Sequence, residues 1–229
     1  MKEDISSHNW QSIADIMSAL MMIFLFISVL YMLQAQLEKA KITEIAKSYS
    51  EQEKNLYEDL NIEFKEDLKK WSASLEKDNT VRFYAPEVLF KPGSSEINPQ
   101  FKKILNDFFP RYIKILEGSS FKNDISEIRI EGHTSSEWTG AKSFEDRYLA
   151  NLNLSQQRSF EVLKYCFSVS SDKTTKEWLK GVLRANGLSF AKPVFTKSGK
   201  EDNLKSRRVE FRAVVKSKER IDAILEMTK

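Results

Sequence analysis

The stretch Ile13–Leu33 limits what this chain can be, because it has to lie in an apolar medium. No charged residue occurs from Ile16 to Leu33. As a helix rising about 1.5 Å per residue, the run covers roughly 30 Å, the hydrocarbon thickness of a bilayer. One acid, Asp15, stands at its start. A carboxylate inside a span costs about 2.5–3.5 kcal/mol on insertion scales, and the Leu, Ile, Phe and Met side chains that follow offset it. Spacing alone leaves two readings of Asp15. Acids within spans face a protein interior and mark an ion or proton path. An acid near the N-terminal end also suits the headgroup level, where the helix dipole favours it.

The run is longer than the apolar core of a signal peptide, about 7–15 residues, and only Lys2 precedes it as a basic residue. The expectation is an uncleaved membrane anchor, with residues 1–12 as a short polar tail and Trp10 at the interface. Asp15 and Ser18 are three apart and share a helix face, and Ala14 and Ser18 offer the small-residue spacing that lets another helix approach. Lys39, Lys41 and Lys47 follow the span. That bias alone places the C-terminal part in the cytoplasm.

Residues 34–78 contain neither Gly nor Pro. Leu37, Ile45, Tyr49, Leu56, Leu60, Phe64, Leu68, Trp71 and Leu75 recur mostly at steps of three, four or seven among charged neighbours, which predicts a long helical stalk. Its narrow stripe suits a coiled-coil seam. A soluble domain is expected over 79–229. Thr80–Tyr84 reads as a strand, and Gly93-Ser94 follows Pro92 in a turn. Phe101, Ile104, Leu105, Phe108 and Phe109 give a helix after Pro99 an apolar face. Ile125–Ile130 alternates as a half-buried strand, and a polar loop runs to about Tyr148. Leu154–Arg158 opens a helix that continues through Phe160, Val162, Leu163 and Phe167. Trp178–Leu183 is a shorter helix, Val209–Val215 a strand, and Ser217–Thr228 a terminal helix. The fold class is therefore α+β, with strand, helix, strand, helix and strand in order and helices on one sheet face.

Composition excludes several functions. Lys and Arg total 36 against 33 Asp and Glu, a balance that gives no basic face for nucleic acid. The single cysteine, Cys166, excludes an internal disulfide, and His8 and His133 are too far apart for a Cys/His metal motif. Neither a phosphate loop nor a nucleophile elbow occurs, and Ser155, His133 and Asp146 are not spaced as a triad. No enzyme activity, cofactor or metal is expected.

Two groups of residues carry a resemblance. Leu89–Ser94 with Ile97-Asn98-Pro99, then Ile130-Glu131-Gly132-His133-Thr134, then Asn151–Arg158, and last Arg207-Arg208-Val209-Glu210 occur in the order of the OmpA-like peptidoglycan-binding domain. Trp10–Leu30, with Ala14-Asp15 ahead of a Met- and Phe-rich run, resembles the membrane helix of ion-driven stator B subunits, the flagellar MotB-like family. The short tail and long stalk are closest in character to the B subunit of the Zorya anti-phage defence motor.

This resemblance implies a βαβαβ wall-binding domain behind a single span. Asp15 then carries H⁺ or Na⁺, with Ser18 as pore-facing support, and its charge cycle drives a surrounding ring. The implied partners are a second copy of the chain, a pentameric multi-span A subunit, peptidoglycan and the membrane, with no direct contact to nucleic acid. The implied location is the bacterial inner membrane, with the N-terminus cytoplasmic and the domain periplasmic, against the lysine bias. His133, Thr134, Ser135, Asn151, Leu154 and Arg158 map to the wall-binding site, Arg158 gripping a stem-peptide carboxylate. Ser135 stands where the family has an aspartate for the diaminopimelate ammonium, so either Glu137, Glu145 or Asp146 replaces it or the ligand preference differs. Arg207 and Arg208 are expected to brace the last strand and to contact the pocket indirectly. A flagellar-type stator and a passive wall-binding anchor are the alternatives.

Overall fold

The computed structural model describes residues 3–216 other than 85, 92, 119 and 171, with the backbone alone at residues 3–9, 11, 45, 46, 48–50, 86 and 87. The helix expected over Ser217–Thr228 lies outside the described residues. Two compact units divide the chain, one taking the N-terminal residues to Tyr49 and the other Ser50–Ser217. Helix α1 (Glu3–Lys70) contributes to both. In the first unit it includes Ser12–Glu44, long and apolar enough to cross a membrane.

The second unit is built on a five-stranded sheet. Its strands are β1 (Ala73–Leu75), β2 (Thr80–Phe83), β3 (Ile125–His133), β4 (Leu183–Gly187) and β5 (Arg208–Val215), in the order β1-β2-β5-β3-β4. Only β3 and β4 run parallel. Val81, Phe83, Ile128, Ile130, Val209 and Phe211 alternate with Arg82, Arg129, Glu131 and Glu210, so one face is apolar and the other charged. Against the apolar face lie α3 (Pro99–Leu116) and α4 (Phe144–Val169). The short helices α2 (Pro86–Leu89), α5 (Lys173–Val182) and α6 (Asn203–Ser206) join the remaining elements. The centre of the core is aromatic: Phe108 of α3 stands 5.1 Å from both Phe83 and Phe211, ring centre to ring centre.

Two glycines set how closely α4 approaches. A Cβ on Gly132 would come 2.4 Å from the Ser155 carbonyl oxygen, and one on Gly187 2.4 Å from the Gln156 amide nitrogen. These bare positions on β3 and β4 let the α4 backbone touch the sheet. Asn151, Leu154 and Arg158 are thereby held near the C-terminal end of β3, where Thr134 and Ser135 follow.

Several sequence expectations change. The stripe Leu56, Leu60, Phe64 and Leu68 is buried inside the second unit, so residues 50–78 are not a stalk apart from the domain. Its partners are the domain's own rings, with Phe64 5.2 Å from Phe108 and 5.9 Å from Trp71. Arg111 of α3 clamps the segment through Glu63 and Asp67 at 2.7 and 3.0 Å. Helix α4 begins at Phe144, well before Leu154, because Ser143 caps it by accepting from the Asp146 amide. Phe160 is exposed, not on the buried face. Strands β1 and β4 carry too few alternating residues to be read in advance.

Candidate functional site

A cavity of about 380 Å³ opens where β3 ends beside α4 and the segment preceding β5. Gly93, Thr134, Ser135, Glu137, Trp138, Thr139, Asn151, Leu154, Arg158 and Arg207 line it. The elements already described bring these residues together. After β3, the chain is held by the Thr134 amide donating to Ser189 O and by the Ser136 amide and hydroxyl donating to Glu201. Asn151 is buried and ties its side chain to Arg147 O at 3.1 Å.

Arg158 is the electrostatic centre. It is 8% exposed, its Nε donates to Ser94 O at 2.9 Å, and its guanidinium lies 4.9 Å from the Phe90 ring centre. The turn that presents Ser94 O is closed by the Ser94 amide on Lys91 O and by the Lys91–Glu96 pair, with Gly93 in the left-handed region at φ 64°. Among the described residues Arg158 has no carboxylate partner. Burial, and then the charge of Arg207, bring the guanidinium down to about 10, so it stays charged at neutral pH. Two guanidiniums facing one cavity, Arg158 without an ion-pair partner among the described residues, form a receptor for an anion, and their planar forks favour a carboxylate.

The structure brings Thr134, Ser135, Asn151, Leu154 and Arg158 together in this lining. His133 is not among the lining residues. It is 2% exposed, with its ring toward Glu131 and Glu210 on the charged sheet face. Of the three acids expected to replace the aspartate, Glu137 lines the cavity, where its Oε1 accepts from Asn203 Nδ2 at 2.6 Å. Glu145 and Asp146 instead occupy the exposed first turn of α4, the end of a helix that favours negative charge. The two arginines at the start of β5 part company. Arg207 faces the cavity, whereas Arg208 is buried and donates to Glu210 Oε1 at 2.6 Å. The alternation of an extended chain separates them, and in the sequence this alternation was the one available sign that Arg207 belongs to the site. Trp138 and Thr139 carried no sequence signal.

In the first unit Asp15 is exposed among exposed apolar side chains, including Ile16, Met17 and Leu20. It has no ion-pair partner among the described residues. Ser18, on the same face, donates its hydroxyl to Ala14 O at 2.8 Å.

No family model matches the chain. It is 43% identical over 226 residues to the Zorya protein ZorB of Escherichia coli, an alignment that takes in 98% of this chain and 95% of that protein. Among solved structures, a MotB-like protein from Desulfovibrio vulgaris has the same fold, with a TM-score of 0.51 at 23% identity over 75% of this chain and 94% of the other.

Proposed function

The chain belongs to the Zorya ZorB family, and from that membership we propose that it is the B subunit of a membrane stator that couples ion flow to work in anti-phage defence. In this reading the apolar part of α1 crosses the bacterial inner membrane once, with the N-terminus cytoplasmic and the sheet domain periplasmic. Two copies stand in the axis of a ring of five multi-span A subunits. The 43% identity carries this reading, because it runs through span and domain together.

Asp15 is the proposed ion carrier. Its surroundings in the proposed complex are other helices, where an uncompensated charge is costly. Neutralisation, by H⁺ or by Na⁺, removes the cost of carrying charge into the apolar layer. Release restores the charge, and the alternation supplies the switch that a rotating ring requires.

The arginine cavity is the proposed wall anchor. Arg158 and Arg207 receive a carboxylate, and Glu137, across the lining, receives an ammonium group. A ligand with both groups at one end matches the stem peptide of peptidoglycan, and Glu137 takes the part left open by Ser135. The domain binds this ligand without chemical change.

A phage plaque assay tests the proposal. Cells carrying the whole defence operon with Asp15→Asn are expected to lose protection completely while the chain still co-purifies with its A subunit. Full protection by Asp15→Asn would leave the passive-anchor reading in its place.

A further inference from the structure

On the charged face of the sheet, three buried side chains turn ligating atoms toward one another without bonding. Glu131 and His133 alternate on β3 and therefore point the same way, and Glu210 of β5 is paired in register with Glu131. They are 4%, 2% and 5% exposed. His133 Nε2 is 3.5 Å from Glu210 Oε2 and 3.8 Å from Glu131 Oε2, beyond the usual N–H···O range of about 2.7–3.2 Å. Both ring nitrogens and Glu131 Oε2 are buried without a hydrogen-bond partner. Leaving such buried atoms unsatisfied is costly, so the arrangement calls for a ligand between them.

The spacing indicates what kind. One ligating atom from each of the three residues lies within 4.8 Å of the other two. Donors held about 2.0–2.2 Å from a tetrahedral ion stand roughly 3.4 Å apart. The atoms are thus too far apart for a short hydrogen bond and close enough to share an ion. Glu210 is oriented for this: its Oε1 accepts from Arg82 Nε and Arg208 Nε, both at 2.6 Å, while Oε2 faces His133. Such outer partners commonly fix the direction of a metal-binding carboxylate. Glu76 pairs with Arg82 in turn at 3.1 Å, so the guanidinium charge is shared between acids.

We propose that Glu131, His133 and Glu210 form a binding site for a divalent ion of the zinc class. An imidazole with two carboxylates is a donor set that Zn²⁺ accepts. The ion would tie the end of β3 to the start of β5, and these two ends carry Thr134 and Ser135 on one side and Arg207 on the other into the cavity. Sequence spacing hides the site, since Glu210 is remote from His133 until the strands pair.

The test uses the full chain in detergent, stripped with a chelator, dialysed, and titrated with ZnCl₂. Retention of one equivalent of zinc through gel filtration, with a raised thermal midpoint, is expected. Co²⁺ in its place should give the visible absorption of a tetrahedral site. His133→Gln and Glu131→Gln should lose the equivalent, whereas Cys166→Ser and His8→Gln should keep it. Absence of both zinc retention and the Co²⁺ spectrum in the wild-type chain overturns the site, a result that requires no variant to fold. Undiminished retention in His133→Gln, or loss in Cys166→Ser or His8→Gln, overturns the assignment to these residues.

Discussion

Helix α1 carries the same kinds of side chain in both compact units and uses them in opposite ways. Phe24, in the first unit, is 61% exposed, and Phe64, in the second, is fully buried. Leu20 and Leu30 are exposed like Phe24, and Leu56 and Leu60 are buried like Phe64. What differs is the surroundings. After Ser50 the helix meets Trp71 and Phe108 of its own chain, and burial there stabilises the domain. Before Tyr49 the described residues of this chain leave the apolar face exposed, a surface suited to lipid or other helices. The charged groups show the same contrast. Asp15 stands alone in an apolar surface, whereas Arg158 and Arg207 are gathered with Glu137 around one cavity. In the proposed function one region moves a charge between environments, and the other holds a ligand by fixed charges.

The contrast breaks first at Phe64. Phe64→Ala should destabilise the domain by about 3–5 kcal/mol in chemical denaturation, because it leaves a cavity among packed rings. Phe24→Ala should leave the domain's unfolding midpoint unchanged. Equal effects would mean that the two halves of α1 are not differently solvated.

Arg158→Met should weaken retention on purified peptidoglycan by roughly 10- to 150-fold, the equivalent of about 1.5–3 kcal/mol for a charge-assisted hydrogen bond. Its effect on stability should have the opposite sign. The guanidinium at about 10 lies below its ordinary value of 12.5, so the fold disfavours the charge, and that cost is fully present below pH 10. Removing the charge should leave the thermal midpoint unchanged or raised. A variant that loses both binding and stability would return Arg158 to a purely structural role.

Glu137→Gln should bind the wall several-fold more weakly and keep its fold, since only one hydrogen bond, to Asn203, is altered. Pull-down of wall material with amidated stem-peptide amines should abolish the difference between Glu137→Gln and wild type.

The smallest effect belongs to Arg111. Its hydrogen bond holds the Asp67 carboxyl below the ordinary range. That contribution is present above the unfolded carboxyl value and is lost as pH falls through the folded one. Arg111→Ala should cost about 1 kcal/mol at neutral pH, an amount typical of exposed pairs. Denaturation curves of variant and wild type should converge on strong acidification.

Where the chain's own pattern sufficed, the sequence was legible. The absence of charge from Ile16 to Leu33 marked the span, and alternation marked Ile125–Ile130 and Val209–Val215. Arg158, Asn151 and Leu154 were readable from their place in a motif that opens from a helix onto the end of a strand. Leu37 and Leu56 look alike in sequence, with the same spacing and similar charged neighbours. They are told apart by rings that occur later in the chain. Glu137 could not be chosen over Glu145 and Asp146 until the cap at Ser143 fixed where α4 begins. The grouping of Glu131, His133 and Glu210 depends on the register of β3 against β5, which no local pattern states.

Ion flux into vesicles holding the chain with its A subunit decides whether Asp15 carries the ion. Under an imposed proton or sodium gradient, the wild-type chain and Arg158→Met should conduct, and Asp15→Asn at equal assembly should not. Flux through Asp15→Asn equal to wild type would contradict that role.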